Sequence, residues 1–173
     1  MDSVPPKVIV DIQKFTVMGI SRRVHFASEA NPETNMYIRT FKEYFEKKIS
    51  ETIPNRGIPG RTYCVYYDFK DVQDKSKFTL QILVGELVTK VDQIPEGLAT
   101  FDVEDATYAC FKGGPGSIPE AARDTWKKLY LIKLDEWGYK RSYKTEFELY
   151  REGQNDIGNM EVELHIGVQQ IQN

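Results

Sequence analysis

The sequence has only two cysteines, two histidines and two tryptophans in 173 residues. Cys64 and Cys110 are too few for a disulfide framework. Both lie among apolar residues, so they read as reduced core thiols of a cytoplasmic protein, although arithmetic alone leaves one disulfide open. Cys110 has no neighbouring base to make it a nucleophile. His25 and His165 have no partners at metal-ligand spacing, which argues against a catalytic zinc centre. No basic run is longer than a pair such as Arg22-Arg23, Lys47-Lys48 or Lys127-Lys128, and the net charge is -3. Direct DNA binding is therefore not expected, because a duplex partner calls for a basic patch. No apolar stretch approaches the roughly 18 to 20 residues of a membrane helix. Met1 to Pro6 lacks a basic stretch followed by an apolar run, so no secretory leader is expected. Gly113-Gly-Pro-Gly116 lacks the Lys-Ser/Thr ending of a phosphate loop and reads as a turn before a helix. No cofactor is expected.

Aromatic rings, by contrast, are plentiful: ten Tyr, nine Phe and two Trp make up 12% of the chain. Rings bring large apolar area and a negative face, so a surplus marks either a ligand surface or a Tyr-rich core.

Hydrophobic periodicity gives the same series of elements twice. Residues 7–14 alternate as a strand and 15–26 continue extended. Residues 35–50 are helical, with Ile38, Phe41, Phe45 and Ile49 on one face. Pro54, Gly57, Pro59 and Gly60 turn the chain, and residues 63–69 and 78–88 form a hairpin. In the second half, residues 100–112 are extended and a helix starts at Ser117 with Pro119 and Glu120. That helix runs to about Trp137, and residues 145–150 and 160–169 form another hairpin. Thr62–Tyr67 overlays Thr145–Tyr150, and Phe78–Gly85 overlays Met160–Gly167. The expected fold is α+β in a single domain. It comprises tandem strand-helix-strand-strand repeats, about 7–90 and 98–170, related by a pseudo-twofold axis. A lone unit would leave a strand edge open, so the two should join in one antiparallel sheet.

Alternation assigns the faces of that sheet. Val162, Leu164 and Ile166 are uniformly apolar and are assigned to the side carrying the helices, as are Phe147, Leu149 and Cys64. The opposite side then receives Glu146, Glu148 and Tyr150, with Glu163 and His165 from the last strand. From the first repeat it receives Tyr63, Val65, Tyr67 and Leu83. A ligand groove is expected on that second face, where ring faces and a carboxylate together attract an organic cation. The candidate ligand-binding residues are Glu148, Tyr150, Tyr67, Tyr63, Trp126, Leu83 and His165. On spacing alone, a surface Glu148 answering a cross-strand cation is an equal reading.

The run Glu146-Phe-Glu-Leu-Tyr150, followed by a hairpin into Val162-Glu-Leu-His-Ile-Gly-Val168, resembles the Phe-Glu-x-Tyr signature of the gyrase-inhibitor-like family. Asp105 to Ile118, leading to Trp126, is similar to that family's second-repeat start. The resemblance covers about Lys7 to Gln169. It implies a groove in which a buried glutamate, here Glu148, pairs with lipophilic cations, with Tyr150 beside it. Multidrug-responsive transcription activators of this type add a helix-turn-helix module, for which two repeats in 173 residues leave no room, so a stand-alone binder is expected. One alternative is a hydrolase that opens cyclopropane rings of DNA-alkylating natural products, with Glu148, Tyr67 and Tyr150 as its catalytic groups. Another is a protein-interaction module acting on gyrase or a transcription partner.

Overall fold

The computed structural model describes residues 4–31 and 33–172. The reading of the amino terminus rests partly on Met1–Ser3, outside the described residues.

Eight strands form one antiparallel sheet: β1 (Ile9–Ile12), β2 (Phe15–His25), β3 (Thr62–Lys70), β4 (Thr79–Val88), β5 (Ala99–Val103), β6 (Ala106–Gly116), β7 (Tyr139–Tyr150) and β8 (Met160–Gln170). Two helices, α1 (Met36–Glu46) and α2 (Ile118–Leu131), connect β2 to β3 and β6 to β7. The protein is thus α+β, as the patterning predicts. Among the described residues no helix is long and apolar enough to cross a membrane. Both helices start at side-chain caps. Asn35 accepts from Ile38 N–H at 2.9 Å, and Ser117 accepts from Glu120 N–H at 3.4 Å. Helix α2 ends earlier than the periodicity predicts. Ile132 is extended, and Leu134–Trp137 form a separate 3-10 turn closed by Gly138 at a φ of 83°.

The strand order β1-β6-β8-β7-β3-β4-β2-β5 is symmetric about the β3–β7 pair. Only two residues separate β1 from β2, and two separate β5 from β6. Yet the members of each couple lie near opposite ends of the sheet. The sheet must therefore curl into a half-barrel until its ends meet, and Lys14 N–H donates to Asp105 Oδ1 at 2.5 Å where the two connections run side by side. Curling buries both faces. The inner face is filled by Val17, Tyr63, Val65, Leu83, Tyr108, Phe147 and Leu149. The outer face carries α1 over Met18, Ile20, Ile82 and Val84, and α2 over Ala109, Phe111, Leu164 and Ile166.

This double burial corrects the face assigned to β7. Glu148 pairs with Cys64 and Leu164, whereas Phe147 pairs with Val65 and His165. Directly paired residues share a face. Glu146, Glu148 and Tyr150 therefore point to the helix side, and Phe147 and Leu149 point inward. Reading the apolar side of β7 as the helix side fails because the curl makes the inner face apolar too. The overlay of β3 on β7 shifts by one residue for the same reason. Cys64–Val84, Val65–Leu83 and Tyr66–Ile82 pair in the first hairpin, as Glu146–Ile166, Phe147–His165 and Glu148–Leu164 do in the second. Tyr66 is thus the first-repeat counterpart of Glu148.

Candidate functional site

The face bearing the helices also bears the cavity. The opposite face, where a groove is expected, is instead filled by inner-face side chains. A cavity of about 440 Å³ opens between α1 and α2. The central strands make its floor, through Tyr66, Glu146 and Glu148, with Leu80 and Ile82 of β4 beside them. Helix α1 contributes Tyr37 and Ile38. Helix α2 contributes Ala122, Arg123, Trp126, Lys127 and Tyr130, which recur every three or four residues and so fall on one face. Phe26, Phe69 and Phe78 complete an aromatic wall.

Glu148 lies in this floor with 1% of its surface exposed. Its Oε1 accepts hydrogen bonds from the Tyr37 hydroxyl at 2.7 Å and the Tyr150 hydroxyl at 2.8 Å. Its Oε2 accepts from the Tyr66 hydroxyl at 2.6 Å and from Trp126 Nε1–H at 2.7 Å. Four neutral donors from two strands and two helices thus converge on one carboxylate. The rings interlock as well: Tyr66 meets Trp126 edge-on at 5.3 Å, and Phe41 braces both Tyr37 and Tyr150.

The donors offset the cost of burying a charge without cancelling it. Burial pushes the Glu148 carboxyl above its ordinary value, while bonds from Tyr66, Trp126, Tyr37 and Tyr150 pull it down. Burial, with the charge of Glu148 adding to it, drives the Tyr37, Tyr66 and Tyr150 phenols well above theirs, so they remain protonated donors. Among the described residues, no positively charged group bonds to Glu148. An ionised Glu148 therefore holds its charge on four neutral donors, with no counter-ion bonded to it, at the floor of the cavity.

Glu146 sits two residues away on the same face and is fully buried. It carries its own counter-ion: Arg141 binds it through Nε at 2.5 Å and Nη2 at 2.6 Å. Burial raises the Glu146 carboxyl, and Arg141 opposes that rise.

Of the seven residues singled out from the sequence, the structure brings together Glu148, Tyr150 and Trp126. The other four lie on the inner face. Tyr63 and Leu83 are core residues there. The Tyr67 ring stacks on Phe101 at 3.9 Å and its hydroxyl bonds Ser21, so it cannot act with Glu148 in catalysis. His165 stacks on Phe147 at 4.3 Å, and burial lowers it to about 4, leaving it neutral at physiological pH. Sequence reasoning missed Tyr37 and Tyr66. Tyr66 follows from alternation, since Cys64 was already assigned to the helix side. Tyr37 begins the stripe Tyr37, Phe41, Tyr44 that faces the sheet along α1.

A curled antiparallel sheet thus carries two helices that flank a cavity, with a caged carboxylate at its base. The sequence profile of the Cass2 family, integron-associated effector-binding proteins, matches residues 8–168. The chain belongs to this family. An integron cassette protein from the mobile metagenome of Vibrio cholerae shares the fold at a TM-score of 0.70 and 19% identity, with 94% of this chain and 95% of that one aligned. SAV2435, solved bound to tetraphenylphosphonium, superposes at 0.70 and 12% identity over 95% and 94%. The C-terminal domain of EcmrR superposes at 0.59 and 14% identity over 96% and 98%. No curated protein sequence matches the chain.

Proposed function

We propose that the protein binds a lipophilic aromatic cation in the cavity between α1 and α2, with Glu148 as its electrostatic anchor. The observation that carries this reading is the buried Glu148 carboxylate, which has four neutral donors and, among the described residues, no cationic partner. Such a site has an unfilled place for positive charge. Each oxygen already accepts two hydrogen bonds, so the attraction is through space and through the ring faces of Tyr37, Tyr66 and Trp126. Cation–π contacts contribute about 0.5–2 kcal/mol each, the larger value when water is excluded. The tetraphenylphosphonium held by a protein of the same fold is a cation of this kind, which supports the reading. Binding takes precedence over ring-opening hydrolysis, because the phenols that would serve as general acids are committed to Glu148.

Calorimetric titration with tetraphenylphosphonium tests the proposal. Saturable one-to-one binding is expected. Glu148→Gln should weaken it by at least about tenfold, equivalent to roughly 1.4 kcal/mol. Unchanged affinity in that variant removes Glu148 from the anchor role.

A further inference from the structure

The cavity is not simply anionic. Its lining holds three carboxylates, Glu29, Glu146 and Glu148, and three cations, Arg123, Lys127 and Arg141. The carboxylates are unequal. Glu29 is committed to the start of α1, accepting from Met36 N–H at 2.8 Å and Tyr37 N–H at 3.3 Å. Glu146 is neutralised by Arg141. Only Glu148 offers charge to a ligand. The cations, in contrast, gather on the α2 and β7 side.

Arg141 is held there by an irregular strand. From Arg141 to Glu146, five steps of β7 span only the two steps from Val168 to Ile166 on β8. On a regular strand these side chains would stand roughly 17 Å apart on opposite faces. The bulge, with Tyr143 at a φ of 53°, instead folds the guanidinium back onto Glu146. Bulges of this kind re-aim side chains beside sites. The guanidinium carbon lies 4.4 Å from the centroid of the Tyr143 ring and 5.8 Å from that of Trp126. Nε and one Nη2 hydrogen are spent on Glu146. Nη1 meets no acceptor among the described residues, so Arg141 keeps a fork of unused donors at the cavity wall.

We infer that the preferred ligand is amphoteric: an aromatic cation that also carries a carboxylate, its positive part over the Glu148 cage and its carboxylate on the free edge of Arg141. This rests on the binding role proposed above and adds a second recognition element to it. Glu146, which pins Arg141, is two residues and roughly 7 Å along the strand from Glu148. That span suits one fused-ring dye with a pendant acid. Exposed Arg123 and Lys127, one helical turn apart on α2, favour the same end electrostatically.

The test compares three probes by fluorescence or calorimetry: a rhodamine with a free benzoate, the methyl ester of that rhodamine, and tetraphenylphosphonium. The acid should bind at least about tenfold more tightly than its ester, as expected for a charge-assisted pair on arginine. In the double variant Arg141→Met/Glu146→Leu, which removes the ion pair without stranding a charge, that advantage should shrink to within about twofold. Tetraphenylphosphonium, which carries no carboxylate, reports separately whether the wild-type cavity takes a lipophilic cation at all. Thermal melting checks the variant's fold. If the double variant does not fold, Arg141→Lys replaces it; Lys keeps the charge but loses the planar fork, and should lose most of the preference. Equal binding of acid and ester by the wild type, or a preference that survives removal of Arg141, overturns the inference while tetraphenylphosphonium binding still stands. Failure of all three probes to bind refutes the underlying role itself.

Discussion

Removing the Tyr66 hydroxyl probes the carboxylate cage without creating a hole, because Tyr66→Phe keeps the ring against Trp126. The lost bond is 2.6 Å long and runs to a buried carboxylate. Net contributions of hydrogen bonds to charged groups are about 1.5–3 kcal/mol. Three donors remain, and Trp126 still serves the same oxygen, so a loss near 2 kcal/mol is expected where Glu148 is ionised. The pH dependence identifies the cause. Because burial raises the Glu148 carboxyl in the folded state, the folded protein holds that proton more tightly than the unfolded chain. Its contribution to stability is full below the ordinary carboxylate range and is lost as pH rises through the folded value. Without the Tyr66 donor the folded value climbs further, so the variant's deficit should grow over this window. Below it, a neutral carboxyl loses only an ordinary hydrogen bond of about 1 kcal/mol. Urea denaturation of both proteins across a pH series measures the difference. A deficit under about 0.5 kcal/mol, or one that does not change with pH, would refute a charge-supporting role for Tyr66.

Three further outcomes follow from the same geometry. Affinity for tetraphenylphosphonium should fall as pH drops through the raised Glu148 value, since protonation erases the negative charge; fluorescence titration over pH checks this, and a flat profile counts against it. Tyr67→Phe should leave that affinity within about twofold of wild type, because Tyr67 lies on the inner face with Phe101, and a tenfold loss by calorimetry would contradict the face assignment. Gly85→Ala should destabilise the sheet severely, because a Cβ there would sit 2.0 Å from the Met18 carbonyl oxygen. A thermal midpoint unchanged from wild type would argue against that close approach of β2 and β4.

Much of the architecture is legible in local pattern. The 3.6-residue stripe of α1, the cap at Ser117 and the two hairpins all report local preferences, and they recover the repeated order of elements. Glu148 is legible because Glu146-Phe-Glu-Leu-Tyr150 carries a family signature, and Trp126 because it sits on a helix face. Which way β7 points is not legible. Alternation separates its two faces but cannot say which meets the helices once both are buried. Hence Phe147 and Leu149, turned inward by the curl, read as the helix side, and alternation groups Tyr63, Tyr67, Leu83 and His165 with a carboxylate on the other face of the sheet. Tyr37 was hidden for another reason. The α1 stripe gives its facing, but its bond to Glu148 depends on the height at which α1 crosses the sheet, a tertiary fact. The Arg141–Glu146 pair depends on a bulge that strand periodicity does not reveal.

The selection of positive charge by the caged carboxylate is tested most directly with two molecules of one shape and opposite sign, tetraphenylphosphonium and tetraphenylborate. Their dissociation constants should be measured for wild type and Glu148→Gln under the same conditions. The account predicts that wild type favours the phosphonium by at least about a hundredfold, the work of about 2.7 kcal/mol, and that Glu148→Gln narrows the gap tenfold or more. Equal affinities in the wild type, or a gap untouched by the substitution, would contradict it.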